Sequence, residues 1–278
     1  MTDSKIVFLD VDGTYAHQGE VPPGHARAVE AARAAGHRVL LCTGRSKAML
    51  PERIVAAGFD GIVAMAGAYV EVGREVVADR RFPADLGDRL VDVLESHDVV
   101  FVLETPRALL GTPRAEAAIR AEVARHESSD DGSAHAGPSD ILAALSVSDE
   151  LRGRPFAKAV VVESAVPNTR LAREAGDGVL SLEASVPGLH PSSGELYLAD
   201  MHKAVGMLAA LEHLGADVAD SIAFGDGMND LEMLRAAGLG VAIEGADPRV
   251  IDAADRTAAG PEVEGLVAAF EELGLLGR

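Results

Sequence analysis

Two acidic clusters, far apart in the chain, hold the residue types from which a hydrolytic site can be built. The first is Asp10-Val11-Asp12-Gly13-Thr14. Carboxylates at positions i and i+2 beyond a strand end can point into one cavity while Gly13 lets the chain turn away. Alone, such a segment reads as a solvated Asp-Gly turn. The second cluster is Gly225-Asp226-Gly227-Met228-Asn229-Asp230. Its two carboxylates and amide supply the oxygen donors that a hard cation such as Mg²⁺ requires. Alone, it reads as a glycine loop before a helix, with Asn229 or Asp230 satisfying free N–H groups. Two such clusters at the mouth of one sheet point to a metal site, because crowded carboxylates repel unless a cation joins them.

Two further groups complete the set. Thr43-Gly44-Arg45 offers a hydroxyl, backbone N–H groups and a guanidinium, all suited to phosphoryl oxygens. Lys203 stands between His202 and Ala204 at the start of a helix-like segment. Taken singly, Thr43 is a strand-ending hydroxyl and Lys203 a surface cation. Both gain meaning only beside the acidic clusters.

The elements that must position these residues alternate in type. Lys5–Leu9 is a short β-branched apolar run, the pattern of a strand buried on both faces, and it ends at Asp10. Pro22-Pro23 opens a helix that runs to about Ala35 before Gly36. A strand over Arg38–Cys42 ends at Thr43, a helix covers about Lys47–Ala57, and a third strand lies near Gly61–Met65. The rhythm resumes with a helix over His202–Leu214, a strand at Ser221–Phe224 and another at Leu239–Ile243. A short helix from Pro248 and a terminal helix around Val263–Leu273 follow. Such βαβ alternation predicts an α/β fold, an open Rossmann-like parallel sheet with helices on both faces. Ligands in these sheets gather outside the carboxyl ends of the strands, where both clusters fall.

The middle of the chain is built otherwise. Amphipathic helices near Leu86–Ser96 and Arg114–Arg125 accompany strands near Val99–Leu103, Ala157–Glu163, Val179–Glu183 and Glu195–Leu198. His126–Pro138 reads as a polar loop. This block predicts an inserted α+β domain, giving core 1–82, insert 83–198 and core 199–278. Arg107, Arg114, Arg154 and Lys158 within it could recognise a substrate, but taken singly each reads first as a solvated charge.

Composition narrows the function. The formal net charge of -19 repels nucleic acid and anionic membranes. Cys42 is the only cysteine, which excludes an intramolecular disulfide and a cysteine-based zinc site. No apolar run approaches the roughly 18 residues of a membrane span. The N-terminal residues lack the apolar stretch of a signal peptide. The expectation is a soluble, cytoplasmic protein, monomer or homodimer, with no nucleic-acid or membrane partner.

Asp10–Thr14, Thr43–Arg45, Lys203 and Gly225–Asp230 resemble, in order, the four motifs of the haloacid-dehalogenase-like superfamily. The insert resembles the large cap of its Cof-type sugar-phosphatase branch by position and size, and 67–82 resembles the hairpin leading into it. The resemblance implies a Mg²⁺-dependent phosphatase acting on a small phosphorylated metabolite. It implies Asp10 as the nucleophile that becomes an aspartyl phosphate and Asp12 as acid and then base. Asp10, the Asp12 carbonyl, Asp226 and Asp230 would hold the metal. Thr43, Gly44, Arg45, Lys203 and Asn229 would hold the phosphoryl group. A phosphomutase of the same fold and a non-catalytic phospho-ligand sensor are the alternatives, and the substrate is not named by the sequence. The chain departs from the branch at Ala66 and Gly245, where Asn is usual, at Tyr15, where an apolar residue is usual, and at Ala204, where Gly is common.

Overall fold

Ile6–Leu9 forms the first strand, β1, and all four of its side chains are buried. A strand without a polar face has to be covered on both sides, and here helices cover it. The computed structural model describes residues 4–127, 136–183 and 192–277. They form two units, one of Met1–Arg45, Pro51–Asp79 and His202–Arg278, the other of Ser46–Leu50 and Arg80–Met201.

The first unit begins with β1, α1 (Pro23–Ala34), β2 (Arg38–Cys42), α2 (Glu52–Val55) and β3 (Gly61–Ala64). A hairpin of β4 (Tyr69–Val72) and β5 (Glu75–Asp79) follows. The helix expected over Lys47–Ala57 does not form as one element. A 3₁₀ turn at Lys47–Met49 is separated from α2 by Pro51. Proline lacks the N–H that a helix interior needs, and it holds Leu50 out of helical backbone.

The second unit contains α3 (Ala84–Ser96), β6 (Val100–Glu104), β7 (Leu109–Gly111), α4 (Pro113–Glu127) and α5 (Ala136–Ala144). It continues through β8 (Leu145–Val147), β9 (Lys158–Glu163), α6 (Asn168–Ala175), β10 (Val179–Glu183) and β11 (Gly194–Leu198). The sheet order is β10-β11-β9-β6-β7-β8, and every pairing is antiparallel except β7 with β8. One face packs Phe101, Leu103 and Val161 against Leu90 of α3 and Leu171 of α6. The other packs Val102 and Val160 against Ile119 of α4, Ile141 of α5 and Met49. The Ser46 hydroxyl donates to the Thr105 carbonyl at 2.5 Å, which ties Ser46–Leu50 to this unit.

Most of the expected loop at His126–Pro138, residues 128–135, lies outside the described residues. Lys158, expected to be solvated, is buried between Glu104 at 3.4 Å and Glu195 at 3.0 Å. Burial alone would lower its pKa, but the two glutamates outweigh burial and hold the ammonium charged.

The chain then returns to the first unit with α7 (Lys203–Leu214), β12 (Ser221–Gly225), α8 (Leu231–Ala236) and β13 (Leu239–Ile243). It ends with α9 (Pro248–Ile251), β14 (Arg256–Ala258) and α10 (Gly265–Glu272). The sheet order is β14-β13-β12-β1-β2-β3-β4-β5, parallel from β14 through β3. Phe8, Val63 and Ala223 pack against Met207 of α7, Leu234 of α8 and Val250 of α9. On the opposite face α1 lies against α10, whose Phe270 meets Phe224 at 5.6 Å between ring centroids.

Just past β3 the backbone passes through three successive positive φ angles, at Met65 (49°), Ala66 (53°) and Gly67 (99°). The Met65 N–H donates to the Arg45 carbonyl at 2.8 Å, and the Ala66 N–H to the Thr43 carbonyl at 3.1 Å. This turn therefore braces the loop after β2. An alanine there carries the left-handed penalty of about 1–2 kcal/mol, which asparagine largely escapes through its short polar side chain. Ala66→Asn should raise stability by about 0.5–1 kcal/mol, and Ala66→Val, β-branched, should lower it by at least as much. Denaturant unfolding of the two variants checks the sign, and equal effects would refute the account.

Candidate active site

Strands β12, β1 and β2 lie side by side, and each is followed at once by a site residue: Asp226 after Gly225, Asp10 after Leu9, Thr43 after Cys42. The register carries the ladder to the last residue, pairing Leu9 with Phe224 and with Leu41. The Asp10 N–H continues it by donating to the Phe224 carbonyl at 3.0 Å. The chain order reverses at β1, so this edge is the switch point where open α/β sheets place their ligands.

Turning away from the sheet requires Gly13. Its φ is 81°, and a Cβ there would stand 2.2 Å from Oδ2 of Asp226. The bare glycine lets the first loop approach the Asp226 carboxylate, and the buried Thr14 hydroxyl then donates to Asp226 Oδ1 at 2.8 Å. Thr14 is a residue whose orienting role the sequence reading missed. Its only signal was its place in the Asp-x-Asp-Gly-Thr motif.

Lys203 comes from the other side of the unit. It is the first residue of α7, where a cation opposes the helix dipole. Two carboxylates account for its position. Its fully buried Nζ lies 2.7 Å from Asp10 Oδ1 and 2.6 Å from Asp230 Oδ1. Asp230 is also fully buried, and its Oδ2 accepts from the Asp226 N–H at 3.2 Å and the Gly227 N–H at 2.9 Å. Both its oxygens are thus engaged, and Asp230 fixes the loop after β12 and the lysine together.

Asp10, Asp226 and Asp230 bring one carboxylate oxygen each to within 4.8 Å of one another. They face a single ammonium. Burial and the nearby Asp230 raise the pKa of Asp10 against the pull of Lys203. Burial is also the main cause that pushes Asp226 up to about 6, the Thr14 hydrogen bond opposing it. Burial would lower the pKa of Lys203, but Asp10 and Asp230 outweigh burial and keep it charged. The donor set fits a divalent oxygen-seeking cation. It is all carboxylate oxygen, it carries more negative charge than Lys203 offsets, and two members resist ionisation without further positive charge.

The remaining expected residues fall into two groups. Thr43 is buried, and its hydroxyl accepts from the Arg45 N–H at 3.1 Å. Gly44 lies between them in the loop braced by Met65 and Ala66. Asn229 sits in the short turn after β12, with its side chain over Gly227. Arg45 is buried and directs two nitrogens at Asp12, Nε to Oδ2 and Nη2 to Oδ1, both at 2.7 Å. Asp12 and Arg45 thus form a pair beside the Asp10–Lys203 cluster. Burial pushes the thiol of Cys42 up and keeps it uncharged against Lys203.

The chain is similar to several named and solved proteins. The chain is 28% identical, over 99% of both chains, to a Bacillus subtilis (strain 168) protein named "Putative phosphatase YkrA". A solved protein of Geobacillus kaustophilus HTA426 matches at a TM-score of 0.81 and 24% identity, over 98% of this chain and 99% of that one. A HAD subclass IIB sugar phosphatase matches at 0.75 and 22%, over 98% of this chain and 100% of its own. These two likenesses establish the fold: a Rossmann-like α/β core with a cap. The family model for haloacid dehalogenase-like hydrolases matches residues 7–270, and the chain belongs to that family.

Proposed function

We propose that this phosphoric monoester hydrolase acts on small phosphorylated metabolites of the sugar-phosphate kind, through an aspartyl phosphate on Asp10. The observation that carries the reading is the pairing of Asp10 with the buried ammonium of Lys203 at 2.7 Å, among three converging carboxylates at the sheet's switch point. A carboxylate so placed is held still, and its charge is partly offset, so a phosphate dianion can approach.

Asp10 attacks phosphorus in line. One carboxylate oxygen forms the new P–O bond as the ester oxygen leaves with its electron pair. Asp12 gives that oxygen a proton in the first step. In the second it takes a proton from the water that displaces Asp10, which restores the carboxylate and releases phosphate. Thr43, the backbone N–H groups around Gly44, Asn229 and Lys203 hold the phosphoryl oxygens. The Asp10 carboxylate, the Asp12 carbonyl and Asp226 would hold Mg²⁺, with Asp230 and Asn229 in support, and the cation would supply positive charge to the phosphoryl oxygens. Sugar phosphates are favoured as substrates by the kinship with the subclass IIB sugar phosphatase.

Chelation should abolish turnover, and Mg²⁺ should restore it while Ca²⁺, with its looser and larger coordination, should not. Full activity in excess EDTA would remove the metal from the reading. Asp10→Asn should leave essentially no turnover, because an amide cannot form the phosphoenzyme. Asp12→Asn should slow the phosphoenzyme-forming step by about 10²–10⁴ on a sugar phosphate, and far less on p-nitrophenyl phosphate, whose leaving group needs no proton. Burst or single-turnover rates make this comparison, since the second step is common to both substrates. Equal losses on the two would take Asp12 out of the acid role.

A further inference from the structure

The Arg45–Asp12 pair gives the arginine a task other than the one its motif suggests. Its guanidinium meets both Asp12 oxygens at 2.7 Å through two different nitrogens, the two-point fork in which guanidinium and carboxylate lie in one plane. The two side chains differ in exposure. Arg45 is 3% accessible and Asp12 27%. The backbone of Arg45 is fixed on both sides, its N–H donating to the Thr43 hydroxyl and its carbonyl accepting from the Met65 N–H. The arginine is therefore the anchored partner and the aspartate the oriented one. An aspartate's terminal torsion is soft and broadly two-fold, so Asp12 alone would not hold one orientation. A two-point fork removes that freedom and leaves the outward lone pairs of the carboxylate on its accessible side.

We propose that Arg45 is a positioning residue for Asp12, fixing the plane of the acid–base carboxylate, and that it is not a ligand of the phosphoryl group. The inference rests on the phosphatase reading above. It implies that Arg45 acts on the leaving-group oxygen through Asp12, and that phosphate binding is left to Thr43, the loop N–H groups, Asn229 and Lys203. Lysine cannot replace this arginine, because a point charge makes one contact where the fork makes two.

The test is a double-mutant cycle of Arg45→Lys and Arg45→Gln with Asp12→Asn, in the full-length metal-loaded protein. Single-turnover rates are followed on a hexose phosphate and on p-nitrophenyl phosphate, with inorganic phosphate as competitive inhibitor. If Arg45 positions Asp12, Arg45→Lys slows the first step about 10–100-fold on the hexose phosphate. It should leave p-nitrophenyl phosphate and the inhibition constant of phosphate within about threefold, and add little once Asp12 is already Asn. If Arg45 instead holds the phosphoryl group, phosphate inhibition weakens about tenfold or more and both substrates lose alike, and the proposal falls. Unfolding of the same variants gives a readout independent of activity. Coupling between Arg45→Gln and Asp12→Asn of about tenfold in the unfolding constant is expected, and independent effects would overturn the pairing. A wild type that turns over no phosphate monoester would sink the parent reading, and the unfolding cycle would still decide whether Arg45 holds Asp12.

Discussion

The Lys203 ammonium is fully buried between the carboxylates of Asp10 and Asp230, and the carboxyl edge of the sheet is arranged around that contact. Breaking such a pair by removing one partner ordinarily costs about 3–5 kcal/mol, because a charge is left uncompensated. Here it also joins parts of the chain that are distant in sequence: the end of β1, the start of α7 and the loop after β12. Asp230 extends the link through two backbone N–H groups, those of Asp226 and Gly227, so the second acidic cluster takes its shape from the same interaction. Asp226 is then held from the opposite side by Thr14. Every carboxylate of the cluster thus has a neighbour that fixes it.

A surplus of negative charge persists after these pairings, and it tells structure from function. Three carboxylates and one ammonium would make a poor device for stability alone, since apolar side chains of similar volume usually serve as well or better. Burial raises Asp10 and Asp226 above the ordinary carboxylate range, so the cluster as built resists full ionisation. Additional positive charge relieves that tension. The same charge is what an incoming phosphate dianion needs, and one arrangement serves both ends.

Much of this was legible in the sequence, for identifiable reasons. β1, β2 and β12 are apolar runs ending in polar motifs, and strands buried on both faces leave that signature without ambiguity. Asp10, Thr43 and Asp226 could therefore be placed at strand ends from pattern alone. The break at Pro51 was legible in the proline itself, and the helix drawn through it followed the apolar spacing instead. The three-residue strands β7, β8 and β14 are too short to carry any period. The burial of Lys158 could not be read because its glutamate partners come from other strands, one of them 37 residues on at Glu195. The Arg45–Asp12 fork was hidden for the same kind of reason. The motif reading supplied a phosphate for the arginine before the fold supplied a carboxylate. The departures at Ala66 and Gly245 do have a local explanation. Both positions have positive φ, 53° and 86°, a backbone that asparagine and glycine accept, so Gly245 meets the requirement and Ala66 carries strain.

The deepest consequence of the fold is that it separates two carboxylates only two residues apart. Asp10 is buried, takes its hydrogen bond from an ammonium and lies within reach of two other carboxylates. Asp12 is partly open, takes its hydrogen bonds from a guanidinium and lies on the accessible side of the loop. Neighbouring carboxylates in unlike surroundings are the usual basis for dividing nucleophile from proton carrier. Gly13 makes the division possible, since only a residue without a side chain permits the turn that sends Asp12 outward while Asp226 closes in behind it. Lys203 and Arg45 keep it, each fixing one member of the pair from a different strand end or helix start. A dyad written as Asp-x-Asp in one dimension is in space two sites, each held by its own cation.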